Sequence, residues 1–125
     1  MAKKVIKIVL VEDEPALSRV LTDKLTSEGF KVTQIFNGDE AFDAIKKEQP
    51  NLVLLDLLLP RKHGFDVLAD LKGDVETQGI PVIILTALGS DDDIKKGIKL
   101  GAVDYIVKSQ HAIAEIVDKI KAGAK

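Results

Sequence analysis

Asn51-Leu52-Val53-Leu54-Leu55-Asp56 sets four large apolar residues in a row and then stops on an acid. A strand with one wet face alternates apolar and polar side chains. A short unbroken apolar run fits a strand covered on both faces, as in a parallel sheet held between two layers of helices. Working outward, Val5–Val11, Lys31–Ile35, Pro81–Leu85 and Val103–Val107 are further short segments rich in Val and Ile. Lys31–Ile35 is the most mixed of them and suits an edge.

Between these segments the apolar residues take helical spacing. Leu17, Val20, Leu21 and Leu25 form one stripe, with Pro15 at a first turn and Gly29 just past the end. Asn37 with Glu40 resembles a capping box ahead of Ala41, Phe42 and Ile45. Phe65, Leu68 and Leu71 make a third stripe. Ser90 with Asp93 repeats the capping pattern before Ile94 and Ile98, and Gly101 closes that helix. Ile113, Ile116, Val117 and Ile120 make the fifth stripe, for which Ser109 is the expected cap. Asp91-Asp92-Asp93 ahead of Lys95, Lys96 and Lys99 matches the helix dipole, acids first and bases last. Five strands thus alternate with five helices. Strands separated by single helices read as parallel neighbours joined by right-handed crossovers, giving an α/β three-layer sandwich with a doubly wound parallel sheet. Lys72–Gly79 reads as the loosest connection.

The 125 residues suit one domain, spanning 1–125 with no output domain, and 46% hydrophobic residues supply one sizeable core. Eighteen Lys and Arg against 20 Asp and Glu leave a net charge of -2, so no global basic field draws nucleic acid or anionic lipid. The absence of Cys removes disulfides, thiolate metal sites and Cys nucleophiles, and fits a reducing cytosol. No apolar run approaches the ~20 residues that span a bilayer, and the basic start Met1-Ala2-Lys3-Lys4 is not followed by a signal-peptide core. A cytoplasmic protein with no membrane contact is the expectation.

In an open parallel sheet, chemistry gathers at the carboxyl ends of the strands. The first strand is followed by Glu12, Asp13 and Glu14, the third by Asp56, the fourth by Thr86 and the fifth by Lys108. Singly, each has an ordinary explanation as a turn, cap or surface residue. Jointly, they deliver chemistry-bearing side chains to one rim from four strands of five. Two carboxylates ~4 Å apart repel by about 4 kcal/mol at an effective dielectric near 20. If Glu12, Asp13 and Asp56 converge, they must share protons or bind a cation. Oxygen donors without nearby His or Cys favour Mg²⁺, with Mn²⁺ as a second choice. A carboxylate beside such a cation, with a Lys and a Thr hydroxyl pointing in, can accept a phosphoryl group, and Asp56 is the candidate nucleophile.

Four motifs carry a resemblance: Val9-Leu10-Val11-Glu12-Asp13-Glu14-Pro15; Leu54-Leu55-Asp56-Leu57-Leu58-Leu59-Pro60 with Gly64; Pro81-Val82-Ile83-Ile84-Leu85-Thr86-Ala87; and Gly101-Ala102-Val103-Asp104-Tyr105-Ile106-Val107-Lys108. In this order they resemble the receiver domain of bacterial response regulators, across essentially the whole chain. The resemblance implies the flavodoxin-like (βα)5 fold with strand order 2-1-3-4-5. It implies that Asp56 accepts a phosphoryl group from the phosphohistidine of a histidine kinase or histidine phosphotransfer protein. Glu12, Asp13 and Asp56 would hold Mg²⁺ with the backbone carbonyl of Leu58, while Thr86 and Lys108 contact the phosphoryl oxygens. Ala87 would leave room for the group, and Tyr105 would be the aromatic switch residue that follows Thr86. A downstream protein would then read the face of the fourth helix, fifth strand and fifth helix. Such a protein is a two-component phosphoprotein rather than a turnover enzyme, and a monomer or weak phosphorylation-dependent dimer.

Three positions depart from the family pattern. Glu12 stands where Asp is frequent, and can reach a metal through water. Ser109 follows Lys108 where Pro is usual, which leaves a cis or a trans bond open. Leu58 and Leu88 lie two residues beyond Asp56 and Thr86, and are expected to slow hydrolysis of an acyl phosphate by flanking the water's path. His63 and His111 are isolated and read as solvent-facing. A flavodoxin-like electron carrier would want a Ser/Thr/Gly phosphate loop where Glu12-Asp13-Glu14-Pro15 stands, and an aspartyl phosphatase a second acid where Leu58 stands. The serious alternative is a receiver-like protein-binding module that is not phosphorylated.

Overall fold

A computed structural model describes residues 4–124; the basic start Met1–Lys3 lies outside them. The strands are β1 (Lys7–Val11), β2 (Lys31–Ile35), β3 (Leu52–Leu55), β4 (Val82–Thr86) and β5 (Asp104–Val107). They alternate with α1 (Pro15–Ser27), α2 (Ala41–Glu48), α3 (Gly64–Lys72), α4 (Asp91–Lys99) and α5 (Ile113–Gly123). All strand pairs are parallel and the order is β2-β1-β3-β4-β5. The rule that consecutive strands are neighbours therefore fails once: β1 lies between β2 and β3. That reversal makes the fold doubly wound, and it opens the crevice at the end of β1.

Alternation along the strands divides the apolar residues between two cores. Val9, Val11, Val53, Leu55, Val82 and Ile84 pack beneath α2 and α3. Ile8, Leu10, Leu52, Leu54, Ile83 and Ile106 pack beneath α1 and α5. β3 and β4 are buried at every residue, as expected for interior strands, whereas Lys31 is exposed and the rest of β2 half-buried. Val5 is 57% exposed and precedes the sheet, so the first strand is shorter than its sequence suggests.

The helix ends follow local chemistry. Pro15 opens α1, and Gly29 and Gly101 follow α1 and α4 with φ of +95° and +113°, the left-handed region that glycine enters without cost. Ser90 caps α4 as expected, its Oγ accepting from the Asp93 amide at 3.1 Å. The Asn37–Glu40 pair does form, Asn37 Oδ1 accepting from the Glu40 amide at 3.1 Å, but it closes a turn one residue ahead of α2. Ser109 does not cap α5. It sits in a short 3-10 turn, Lys108–Gln110, and the helix starts after Ala112, whose amide donates to Glu115 Oε1 at 3.0 Å. Among the described residues every peptide bond is trans, that between Lys108 and Ser109 included.

Two stripes are narrower than their spacing implies. Val20 is 40% exposed on α1 and Ile98 is 46% exposed on α4, where Gly97 is the one buried residue. The Lys72–Gly79 connection is tied rather than loose. Thr77 is fully buried with its hydroxyl on the Leu71 carbonyl, and Lys72 Nζ donates to the carbonyls of Gln78 and Ile80.

Candidate functional site

Strand alternation explains how the polar residues meet. Leu10, Leu54 and Ile106 all face the core beneath α1 and α5. Two residues later the same period carries Glu12, Asp56 and Lys108 to that side, just above the sheet. The registers Val11–Leu55 and Leu55–Ile84 end β1 and β3 at one level, with β4 running two residues further to Thr86. Thr86 follows Ile84 and so belongs to the opposite side.

Lys108 Nζ is the hub. It donates to Asp56 Oδ2 at 2.9 Å, stands 2.8 Å from Glu12 Oε1, and lies 3.8 Å from Glu14 Oε2. Asp56 is 3% exposed, and its Oδ1 accepts from the amides of Leu57 at 2.7 Å and Leu58 at 3.3 Å. Glu12 is 1% exposed, with Oε2 accepting the Glu14 amide at 3.0 Å. Glu12, Asp13 and Asp56 each offer a carboxylate oxygen within 4.8 Å of the others. Burial, reinforced by the charge of Asp56, pushes the Glu12 carboxyl up to about 7 although the Lys108 ammonium pulls the other way. Burial opposes the charge on Lys108, but its contacts with Glu12 and Asp56 outweigh that and move its pKa upward. One ammonium facing three clustered carboxylates leaves excess negative charge, and the donors are all hard oxygens. The residues therefore fit a small divalent cation.

The floor of the site depends on Gly64. A Cβ there would stand 2.3 Å from the Asp56 carbonyl oxygen and 2.6 Å from Leu57 Cα, so only glycine lets α3 begin this close beneath the loop that presents Asp56. His63 caps α3, its Nδ1 accepting from the Phe65 amide at 3.0 Å. It is half-buried rather than solvent-facing, and so is His111, whose Nδ1 lies 3.6 Å from Glu115 Oε2.

Thr86 is fully buried at the end of β4, and its Oγ1 accepts from the Leu88 amide at 3.4 Å. Tyr105 is half-buried against the core beneath α2 and α3, and its hydroxyl donates to the Leu88 carbonyl at 2.7 Å. Because Ile84 pairs with Tyr105 and Thr86 with Val107, the Thr86 and Tyr105 side chains lie diagonally on one face of adjacent strands. Burial, with Asp93 and Asp56 adding to it, pushes the Tyr105 phenol up to about 12. Leu58 is 49% exposed, Leu88 half-buried and Ala87 exposed. Sequence reading placed Glu14 at the rim without a specific role and did not single out Gly97. Glu14 was visible as a third consecutive acid, but its approach to Lys108 depends on the turn into α1. No helix among the described residues is long and apolar enough to cross a membrane.

Comparison with known proteins gives a consistent set of relatives. The family model described as response regulator receiver domain matches residues 8–121. The phosphate regulon transcriptional regulatory protein PhoB of Rhizobium meliloti (strain 1021) is 40% identical over 116 residues, covering 93% of this chain and 51% of PhoB. The DNA-binding response regulator MtrA of Mycolicibacterium smegmatis is 38% identical over 116 residues, covering 93% of this chain and 49% of MtrA. The chain thus spans about half the length of these curated relatives. Among solved structures, the BeF3-activated N-terminal receiver domain of Klebsiella pneumoniae RstA superposes with a TM-score of 0.86 at 35% identity, covering 95% of this chain and 98% of that one. The Mn(2+)-bound form of response regulator Rcp1 gives 0.84 at 31% identity, with coverages of 94% and 92%.

Proposed function

Because this chain belongs to the response regulator receiver family, we propose that it accepts a phosphoryl group on Asp56 from a phosphohistidine and switches a protein-binding surface in response. The observation that carries this is the Lys108 ammonium held between Asp56 and Glu12 within a cluster of three carboxylates. The RstA receiver, crystallised in a BeF3-activated form, and Rcp1, crystallised with Mn(2+), support the reading by likeness.

The carboxylates of Glu12, Asp13 and Asp56, with the Leu58 carbonyl, are the groups to hold Mg²⁺ or Mn²⁺. When bound, the cation neutralises charge on the transferring oxygens. The residues do the rest. An Asp56 carboxylate oxygen bonds to phosphorus as the donor's N–P bond breaks, and the electron pair returns to the imidazole. Lys108, already 2.9 Å from Asp56 Oδ2, follows the charge onto a phosphoryl oxygen. Thr86 turns its hydroxyl proton toward another. Leu58 and Leu88 flank the approach and keep hydrolytic water away from the acyl phosphate. Drawing Thr86 toward phosphate shifts Leu88 and with it Tyr105, so the α4–β5–α5 face changes between two populated states.

The donor is a histidine kinase or a histidine phosphotransfer protein, and the reader is a downstream protein rather than nucleic acid. Both meet the chain in the cytoplasm, with the receiver a monomer or a weak, phosphorylation-dependent dimer. The test is intact mass after incubation with acetyl phosphate and Mg²⁺. One added phosphoryl group on the wild type and none on Asp56→Asn is the expected result. If no adduct forms and beryllofluoride also fails to bind, the chain is a contact-only module and the proposal is wrong.

A further inference from the structure

α4 lies against the sheet with almost no apolar side chain of its own to seat it. Its buried residue is Gly97, and a Cβ at that position would stand 2.6 Å from Ile84 Cδ1, 3.0 Å from Tyr105 Cδ2 and 3.1 Å from Tyr105 Cε2. The first is closer than real Cβ atoms come, and the ring contacts are tighter than most. The helix therefore has its bare backbone against the Tyr105 ring. At the other end of that ring the hydroxyl holds the Leu88 carbonyl at 2.7 Å, and the Leu88 amide reaches Thr86 Oγ1 at 3.4 Å. Gly97, Tyr105, Leu88 and Thr86 thus form one run of contacts from α4 to the end of β4.

We infer that Gly97 is a positioning residue for Tyr105: its missing side chain makes the seat in which the ring lies so that its hydroxyl can tether the loop between β4 and α4 at Leu88. Glycine inside a helix is unfavourable relative to alanine, because it gives up more chain entropy on folding. The atoms nearest that position are Ile84 Cδ1 and the edge of the Tyr105 ring, and these are what call for a residue without a Cβ. A methyl group at this position would press on the Cδ2–Cε2 edge of the ring whose hydroxyl holds Leu88. The regulatory meaning of the seat rests on the phospho-switch reading of Asp56, while the seat itself rests on geometry alone.

The chain has one Tyr and no Trp, so its emission on excitation beyond the phenylalanine band reports Tyr105. The experiment is acrylamide quenching of that emission, with the thermal midpoint, for wild type, Gly97→Ala, Ile84→Val and the double variant. Ile84→Val removes the Cδ1 atom that a new Cβ would strike first, leaving the ring as the remaining obstacle. Gly97→Ala is expected to raise the quenching constant severalfold toward that of free tyrosine. The double variant is expected to recover the wild-type thermal midpoint while keeping the raised quenching, and Ile84→Val alone to quench like wild type. Wild-type quenching in folded Gly97→Ala, or in the double variant, overturns the inference, since the methyl group would then be absorbed without moving Tyr105. Intact mass with acetyl phosphate on the same samples keeps the two questions apart. A phosphorylated wild type with unmoved Tyr105 in Gly97→Ala loses the seat alone. A moved Tyr105 with no adduct and no beryllofluoride binding on any variant keeps the seat and loses the phospho-switch.

Discussion

Glu12 carries a carboxyl that the folded chain protonates more readily than water does, about 7 against an ordinary 4.5. A native state that binds its proton more tightly is favoured where the proton is present. The Glu12 contribution is therefore complete below about pH 4.5 and is lost as pH rises through 7, on the order of 3 kcal/mol in all. Urea denaturation without divalent metal should show stability falling across that window, and millimolar Mg²⁺ should remove most of the fall by favouring the ionised carboxyl. Glu12→Gln should flatten the metal-free profile, and a profile unchanged by it would place the titration elsewhere. Lys108→Met leaves Asp56, at 3% exposure, without its cation. An unpaired buried charge costs about 3–5 kcal/mol, so the variant should denature at lower urea and be rescued in part by Mg²⁺. At the rim, polar replacements at both Leu58 and Leu88 should speed loss of phosphate from the acyl phosphate severalfold, read as the decay of the phosphorylated mass. An unchanged decay rate would remove both leucines from the path of water.

Among the elements, α3 and α4 show what capping and close approach contribute. His63→Ala removes the acceptor for the Phe65 amide and should cost about 1 kcal/mol; Ser90→Ala removes the acceptor for the Asp93 amide at a similar cost. Gly64→Ala should be far worse than either, because its Cβ meets backbone at 2.3 Å and no side chain can give way; a shift in thermal midpoint no larger than that of His63→Ala would contradict this. All five strands and five helices were legible from apolar spacing, because periodicity is set by which face each element buries. Strand ends drifted by one or two residues: Val5 is apolar but precedes the pairing, whereas Thr86 is polar but pairs with Val107, so β4 runs Val82–Thr86 rather than Pro81–Leu85. The cap of α5 was misread because Ser109 is a good capping residue by chemistry, while the chain after β5 first takes a 3-10 turn that aims Lys108 inward. Val20 and Ile98 fit helical stripes yet remain exposed, since spacing fixes a face of the helix but not how much of it the sheet covers.

At the scale of the whole molecule, two cores share one sheet, and a residue at its centre supports both the fold and the rim. Leu54 is fully buried on β3 two residues before Asp56. Leu54→Ala should cost about 2–5 kcal/mol, seen as a lower urea midpoint with an unchanged slope. The convergence of Glu12, Asp56 and Lys108 was legible because parallel strands deliver their ends to one edge. The sharing of Lys108 between two buried carboxylates, the reach of Glu14 and the seat at Gly97 were not, since each depends on ångström-level packing between segments distant in sequence.

Those distances in sequence also impose an order of assembly. Glu12 and Asp56 directly follow the first and third strands, but the ammonium that faces them both is delivered after the fifth. A growing chain can therefore pair its early strands with two acids facing each other and no counter-charge. Docking of the final strand brings the Lys108 ammonium to both acids at once, the longer separation being the 96 positions between Glu12 and Lys108. Partial neutralisation of the crevice thus coincides with completion of the sheet. Chains stalled or cut before β5 are left with two facing acids and without the Lys108 ammonium that the finished fold sets between them.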